Sequence, residues 1–250
     1  MDYQDIFLAS TDSTNRAARE MGNKGGVHGS GVAADTQTGG RGRLGREWFS
    51  PPGKNLYCSY VFRPKIEAEH YPKLTLAAGV AAVTCLSTDY HFGVGLKWPN
   101  DLFWGVKKCG GILSETSMDS NNEPFAVIGI GINCNLTRPE IPADLKDKAT
   151  SLLIESGRVV DIRQLYFDLR KSLLHSLEEF EQKGFSVVLS RWHEYDVFLG
   201  RNMVWRRSDG TRLEGENLGP DEDGSLLVRD AQGTIHRVVS GEVNLTDICS

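Results

Sequence analysis

The chain has 250 residues, 40% of them hydrophobic and 24% charged, and its 28 basic and 33 acidic residues leave a net charge of −5. That is ordinary globular composition with length for a sizeable core, and it argues against a dedicated nucleic-acid binder, which carries a positive surplus. No apolar run reaches the roughly 18–20 residues that span a bilayer. The N-terminal Met-Asp-Tyr-Gln-Asp has neither the basic start nor the apolar stretch of a signal peptide, so a cytoplasmic location is expected. Cys58, Cys85, Cys109, Cys134 and Cys249 are odd in number and lack C-x-x-C spacing, and the histidines form no H-E-x-x-H pair. Free thiols are expected, with no metal site built from side chains.

Ser13-Thr14 can open a short helix that runs through Met21 and ends at Gly22. Val32 to Gln37 reads as a strand, and Leu56 to Phe62, alternating and rich in aromatics, as another. Leu76, Val80 and Val83 recur at helical spacing, which predicts a helix from Pro72 to about Leu86 packing one face on a sheet. Val94 to Trp98 is a strand stopped by Pro99-Asn100-Asp101. Gly110 to Glu115 and Phe125 to Ile132 pair across the polar turn Asp119-Ser120-Asn121-Asn122. A second apolar stripe, Leu165 to Phe180, ends near Gly184, and a third helix carries Val188, Trp192 and Tyr195.

The texture changes after Gly200. Turn signals at Asp209-Gly210, Asp223-Gly224 and Gln232-Gly233 separate short strands without helical period, which suggests a small SH3-like β-barrel. The expected division is residues 1–198 and 199–250. The expected fold class is α+β, a mixed or antiparallel sheet flanked by helices and followed by the barrel.

Residues 40–46 read Gly-Arg-Gly-Arg-Leu-Gly-Arg, with Trp48 just beyond. Three close arginines repel one another and are costly to bury, while glycine is favoured where the backbone must approach a ligand. The run suits a loop closing over an anion with guanidinium forks and bare N–H groups; a solvated basic turn is the plainer alternative. Ser13-Thr14-Asn15 could read a polar ring such as a urea, although helix capping is the commoner role. Lys97-Trp98-Pro99-Asn100-Asp101 presents an amide and a carboxylate at a strand end. Lys108, ahead of Gly110-Gly111-Ile112-Leu113, can point an ammonium into a cleft, or precede a β-bulge. Gly129-Ile130-Gly131-Ile132-Asn133 again permits close approach. Neither a Walker loop nor a Rossmann fingerprint is present.

Together these segments resemble the biotin–protein ligases: Ser13-Thr14-Asn15, Gln37-x-x-Gly-Arg-Gly-Arg-x-Gly-Arg-x-Trp48, Lys97-Trp-Pro-Asn-Asp101, Lys108-x-x-Gly-Ile-Leu113 and Gly131-Ile-Asn133, in this order. Gly224-Ser-Leu-Leu-Val228 and Gly241-Glu-Val-Asn-Leu245 resemble the family's C-terminal barrel. The resemblance implies a class II synthetase-like catalytic domain that uses biotin, ATP and Mg²⁺. It places Ser13, Thr14, Asn15 and Gln37 at the ureido end of biotin, and Arg41, Gly42 and Arg43 in a loop over biotin and its adenylate. Arg46 and Trp48 fall on the phosphate and adenine side, with Asn133 an adenine-side contact. Asn100 and Asp101 lie near phosphates, magnesium and the incoming lysine. Lys108 bridges the biotin carboxylate and the α-phosphate, and Lys97 and Gly111 complete the binding set. Lys108, Arg41 and Asp101 are the expected catalytic groups.

The sequence departs from the family pattern at Leu44, where some members have arginine, and at Cys109, where an aliphatic residue is common. Twelve residues precede Ser13, so the winged-helix domain of some bacterial relatives is expected to be missing. The implied acceptor is a biotin carboxyl carrier domain of a carboxylase, with no nucleic acid or membrane partner; a homodimer remains open. The alternatives are a lipoate–protein ligase-like enzyme and a biotin-sensing regulator without catalysis.

Overall fold

In the computed structural model, residues 2–207, 211–239 and 241–243 are described. Asp209-Gly210, Asn244, Leu245 and Cys249 lie outside the described residues. The first sheet has seven strands: β1 (Asp5–Leu8), β2 (Gly31–Ala34), β3 (Leu56–Phe62), β4 (Val94–Lys97), β5 (Asp101–Trp104), β6 (Lys107–Met118) and β7 (Pro124–Ile132). Their order is β1-β2-β3-β7-β6-β5-β4. Only the β1–β2 pair is parallel, so the sheet is mixed as expected.

Side-chain alternation divides the work of the two faces. Cys58, Tyr60 and Phe62 of β3, with Ala126, Ile128 and Ile130 of β7, enter the main core. There they meet α2 (Leu74–Thr84), α4 (Ile162–Lys183) and α5 (Ser186–Tyr195). The other face packs Val61, Phe125 and Val127 against Ala18 and Met21 of α1 (Thr14–Asn23). The short α3 (Leu152–Ser156) is capped by Ser151.

The expectation that α2 buries one face is corrected: every residue from Leu74 to Val83 except Thr75 is buried. Two further helices enclose it. Ser172 and Ser176 of α4 donate to the carbonyls of Ala81 and Ala77, and Gly79 lies against the Trp192 ring of α5. Between α4 and α5, the buried Glu179 carboxylate holds Lys183 (2.8 Å) and Arg191. Those charged hydrogen bonds bring its acid down to about 2.

The C-terminal residues form an antiparallel sheet of five strands, β8 (Asn202–Arg207), β9 (Arg212–Pro220), β10 (Leu226–Arg229), β11 (Ile235–Val238) and β12 (Gly241–Val243), in the order β11-β10-β9-β8-β12. This matches the small all-β module expected. It meets the first sheet closely: Trp98 Nε1 donates to Gly224 O at 3.0 Å, in the turn between β9 and β10.

Candidate active site

A cavity of about 370 Å³ lies on the α1 side of the first sheet. Ser13, Thr14, Asn15, Gln37, Arg41, Gly42, Arg43, Arg46, Trp48, Lys97, Asn100, Asp101, Lys108, Gly111 and Asn133 all line it. Every residue singled out in the sequence therefore falls on one wall or another of a single cavity.

At one end stands the N-terminus of α1. Ser13 occupies the cap position in extended backbone, but its side chain makes no capping bond, so the commoner role of that triplet is not the one found. Thr14 and Asn15 are buried. Gln37 Oε1 accepts from the Thr14 backbone N–H at 2.9 Å and lies 3.2 Å from its hydroxyl oxygen. Ser59, in the middle of β3, donates to Asn15 Oδ1 at 2.6 Å and lies 2.8 Å from Thr14 Oγ1. Opposite Asn15 is Gly129; a Cβ there would overlap the Asn15 amide, so only glycine lets α1 sit this close.

Lys108 lines the cavity beyond this cluster. Its Nζ lies 2.5 Å from Asp101 Oδ1 and 5.3 Å from the centroid of the Trp48 ring. Lys108 and Gly111 are three residues apart, and in a regular strand an odd spacing puts side chains on opposite faces. Here the β5–β6 register shifts: Leu102 pairs with Gly110 and Phe103 with Lys108, leaving Cys109 as the extra residue of a bulge. The bulge returns Lys108 to the cavity face, where its Nζ would lie 3.4 Å from a Cβ at Gly111. Cys109 is fully buried, and burial pushes its thiol well above the usual range. The bulge offered as the plain reading of this segment is real, and it aims the lysine.

The far end is a strip of bare backbone. Gly111 and Gly131 are register partners on β6 and β7, and the Trp48 indole lies across both, with Nε1 2.8 Å from a Cβ built on Gly131. The indole N–H is buried and has no hydrogen-bond partner among the described residues. Asn100 Nδ2 donates to Ile112 O at 2.7 Å, and Asn133 Nδ2 donates to Thr150 O at 2.9 Å. Both amides are thereby oriented by main chain, while Lys97 is buried beside the Phe103 ring.

The glycine–arginine segment forms a compact hairpin. Gly42 N–H donates to Arg46 O at 2.7 Å, Trp48 N–H donates to Gly40 O at 3.0 Å, and the backbones of Arg41 and Glu47 pair antiparallel. Leu44 (φ 58) and Gly45 (φ 74) make its tip, with Leu44 exposed. The expectation of bare N–H groups facing an anion is thus corrected at Gly42 and Trp48, whose N–H groups close the hairpin. The guanidinium groups remain, with Arg43 Nη1 3.5 Å from Asn100 Oδ1.

Several residues of the wall or directly behind it carried no sequence signal. Ser59 is one polar residue inside an apolar strand, and its period-two partnership with Tyr57 and Val61 is the pattern that marks its face. Glu115 follows Gly111 and Leu113 on the same face of β6 and receives Asn15 Nδ2 at 2.7 Å. Leu136, Ile141, Pro142, Leu145, Lys148 and Ala149 supply the remaining wall. Their segment is tied to the central lysine by backbone, Lys108 N–H to Lys148 O and Thr150 N–H to Lys108 O. Cys58 also lines the cavity, but burial raises its thiol to about 12, so it is not a nucleophile at neutral pH.

A cavity that joins hydroxyl and amide groups at the α1 N-terminus with an ammonium and an aromatic ring over glycine backbone fits a two-part substrate joined at an anionic centre. Residues 7–133 match the Biotin/lipoate A/B protein ligase family. Over 243 residues the chain is 35% identical to the bifunctional ligase/repressor BirA of Bacillus spizizenii, covering 97% of this chain and 73% of that protein. It is 31% identical to the biotin–[acetyl-CoA-carboxylase] ligase of Paracoccus denitrificans, over 91% of this chain and 95% of that one. The biotin protein ligase of Aquifex aeolicus, solved with biotin and ATP, superposes with a TM-score of 0.81 at 30% identity, covering 96% of this chain and 97% of the other. The chain belongs to the Biotin/lipoate A/B protein ligase family. Within it, the protein is an enzyme of the biotin–protein ligase type.

Proposed function

We propose that the cavity first joins biotin to AMP and then passes the biotinyl group to a lysine of a carboxylase carrier domain. The observation that carries this reading is the position of Lys108, which lines the same cavity as Ser13–Asn15, with Asp101 against it and the Trp48 ring 5.3 Å away.

In the first step a carboxylate oxygen of biotin attacks the α-phosphorus of ATP, and pyrophosphate leaves. A carboxylate is already a nucleophile at neutral pH, so no activated side chain is required. The barrier lies in bringing anions together, and fixed cations lower it. Lys108 serves the carboxylate–phosphate contact, Arg41 and Arg43 the surrounding oxygens, and Arg46 and Lys97 the polyphosphate. Magnesium enters with the triphosphate; it characteristically keeps its waters and takes one or two protein carboxylates, and Asp101 is the carboxylate beside Lys108. Ser13, Thr14, Asn15 and Gln37 hold the ureido ring. Gly42, Trp48, Gly111, Asn100 and Asn133 frame the adenylate.

In the second step the acceptor amine attacks the acyl carbon of the mixed anhydride, an amide forms and AMP leaves. A lysine amine has a reference pKa near ~10.4 and must lose a proton, for which Asp101 is the acceptor. Closure of residues 40–48 keeps water from the anhydride. Residues 1–198 act as the ligase unit and 199–250 as its smaller companion, working in the cytoplasm. Among the described residues no helix is long and apolar enough to cross a membrane.

The test is ATP–pyrophosphate exchange with biotin and then lipoate, on the wild type and Lys108→Ala. Biotin-dependent exchange that disappears in the variant is expected. Exchange with lipoate alone would reassign the substrate, and no exchange with either acid would leave a binding protein.

A further inference from the structure

We propose that Glu115, together with Arg19, is a positioning residue that sets the hydrogen-bond polarity of the biotin end of the site. This rests on the assignment of that end to the ureido ring.

An asparagine amide can lie in two orientations of nearly identical shape but opposite hydrogen-bonding sense. At Asn15 the surroundings allow one. Its Nδ2 faces two acceptors, Leu113 O at 3.2 Å and Glu115 Oε2 at 2.7 Å, so both of its hydrogens are taken. Its Oδ1 faces the Ser59 hydroxyl at 2.6 Å. The reversed amide would set an oxygen against a carbonyl and a carboxylate at once. Of these contacts only that with Glu115 is charged, and hydrogen bonds to charged groups are the stronger kind. Arg19 Nη2, 2.7 Å from Glu115 Oε1, holds the carboxylate in place from one helical turn further along α1.

The orientation propagates. A hydroxyl has one hydrogen, and that of Ser59 is committed to Asn15. The proton in the 2.8 Å contact between Ser59 and Thr14 therefore comes from Thr14. Gln37 Oε1 keeps its 2.9 Å bond from the Thr14 backbone N–H. Asn15 and Thr14 are left with spare lone pairs and no spare hydrogens, so toward a ligand they are acceptors. A urea presents two N–H groups and one carbonyl, and acceptors of this kind select its N–H side. Glu115 reaches Asn15 from outside the cavity lining, on a strand whose cavity residues are Lys108, Gly111, Ile112 and Leu113.

The experiment is biotin-dependent ATP–pyrophosphate exchange on the full chain for the wild type, Glu115→Ala and Glu115→Gln, with KM for biotin, KM for ATP and kcat measured separately. Glu115→Ala should raise KM for biotin about tenfold, the size expected for losing one charged hydrogen bond. KM for ATP and kcat should move less than about twofold on the same argument, since the adenine end is untouched. Glu115→Gln, whose Oε1 still accepts from Asn15, should recover most of the biotin affinity. An unchanged KM for biotin in Glu115→Ala, a loss shared equally with kcat and ATP, or no recovery in Glu115→Gln would each overturn the proposal. A wild type that shows no biotin-dependent exchange would instead remove the functional reading on which it rests.

Discussion

Lys108 Nζ and Asp101 Oδ1 lie 2.5 Å apart, an ion pair on the cavity wall between the adjacent strands β6 and β5. An anionic substrate that draws the ammonium toward itself loosens this pair and leaves the carboxylate available to a second cation, such as the acceptor amine. The two residues then act in succession rather than together.

Removing Asp101 should accordingly separate the two steps. Asp101→Ala is expected to slow transfer to the acceptor by about 10²-fold or more, the range of a lost general base, while adenylation falls less. Rapid-quench measurement of each half-reaction, the second started from isolated adenylate, decides this. Equal losses in both would remove Asp101 from proton transfer.

The Gly131 position tests the seat of Trp48. A Cβ there would lie 2.8 Å from the indole Nε1 and Cε2, so Gly131→Ala must displace the ring. Overpacking of this kind costs about 1–3 kcal/mol in a packed site. KM for ATP should rise more than KM for biotin, with a change in tryptophan fluorescence. The opposite ratio would place Trp48 at the biotin end.

Arg41→Ala addresses the hairpin over the cavity. Loss of the guanidinium of the exposed Arg41 should weaken the hold on the adenylate and raise its spontaneous release in a chase with unlabelled biotin. An unchanged release rate would assign the hairpin to catalysis of the first step alone.

Glu179 carries a pH signature away from the site. Its acid lies at about 2 against an ordinary value of 4.5, held down by its hydrogen bonds to Lys183 and Arg191. A depressed acid stabilises the fold fully above 4.5, and that contribution fades as the pH falls toward 2. Glu179→Gln should therefore lower Tm at neutral pH, with the gap to the wild type closing as acid is added. A gap independent of pH would mean that packing, not charge, ties α4 to α5.

Much of this site was legible because ligand-binding residue types cluster in short runs. Ser13-Thr14-Asn15, the arginine run, Lys97 to Asp101 and Lys108 to Gly111 all reached one cavity. What the sequence hid follows from geometry. The direction of Lys108 depends on a bulge at Cys109, which no periodicity announces. Ser59 is one polar residue in an apolar strand and Glu115 one of a polar run, and only the third dimension brings them to Asn15. Strands β1 and β5, four residues each, are too short to impose a pattern. The all-round burial of α2 reflects partners found ninety or more positions away in the chain. The segment from Leu136 to Ala149 reads as an ordinary polar loop, because its cavity residues are spaced by proline and charge.

The paired glycines at 111 and 131 have a consequence for how such a protein can change its tastes. Where the floor of a binding chamber is peptide alone, there are no side chains to trim or enlarge, and any substitution there intrudes on the indole above. Selectivity must be rewritten from the ends inward, at the α1 tip or along the 136–149 wall. The glycine floor is a fixed fitting, and the walls around it are where a relative with another appetite would differ.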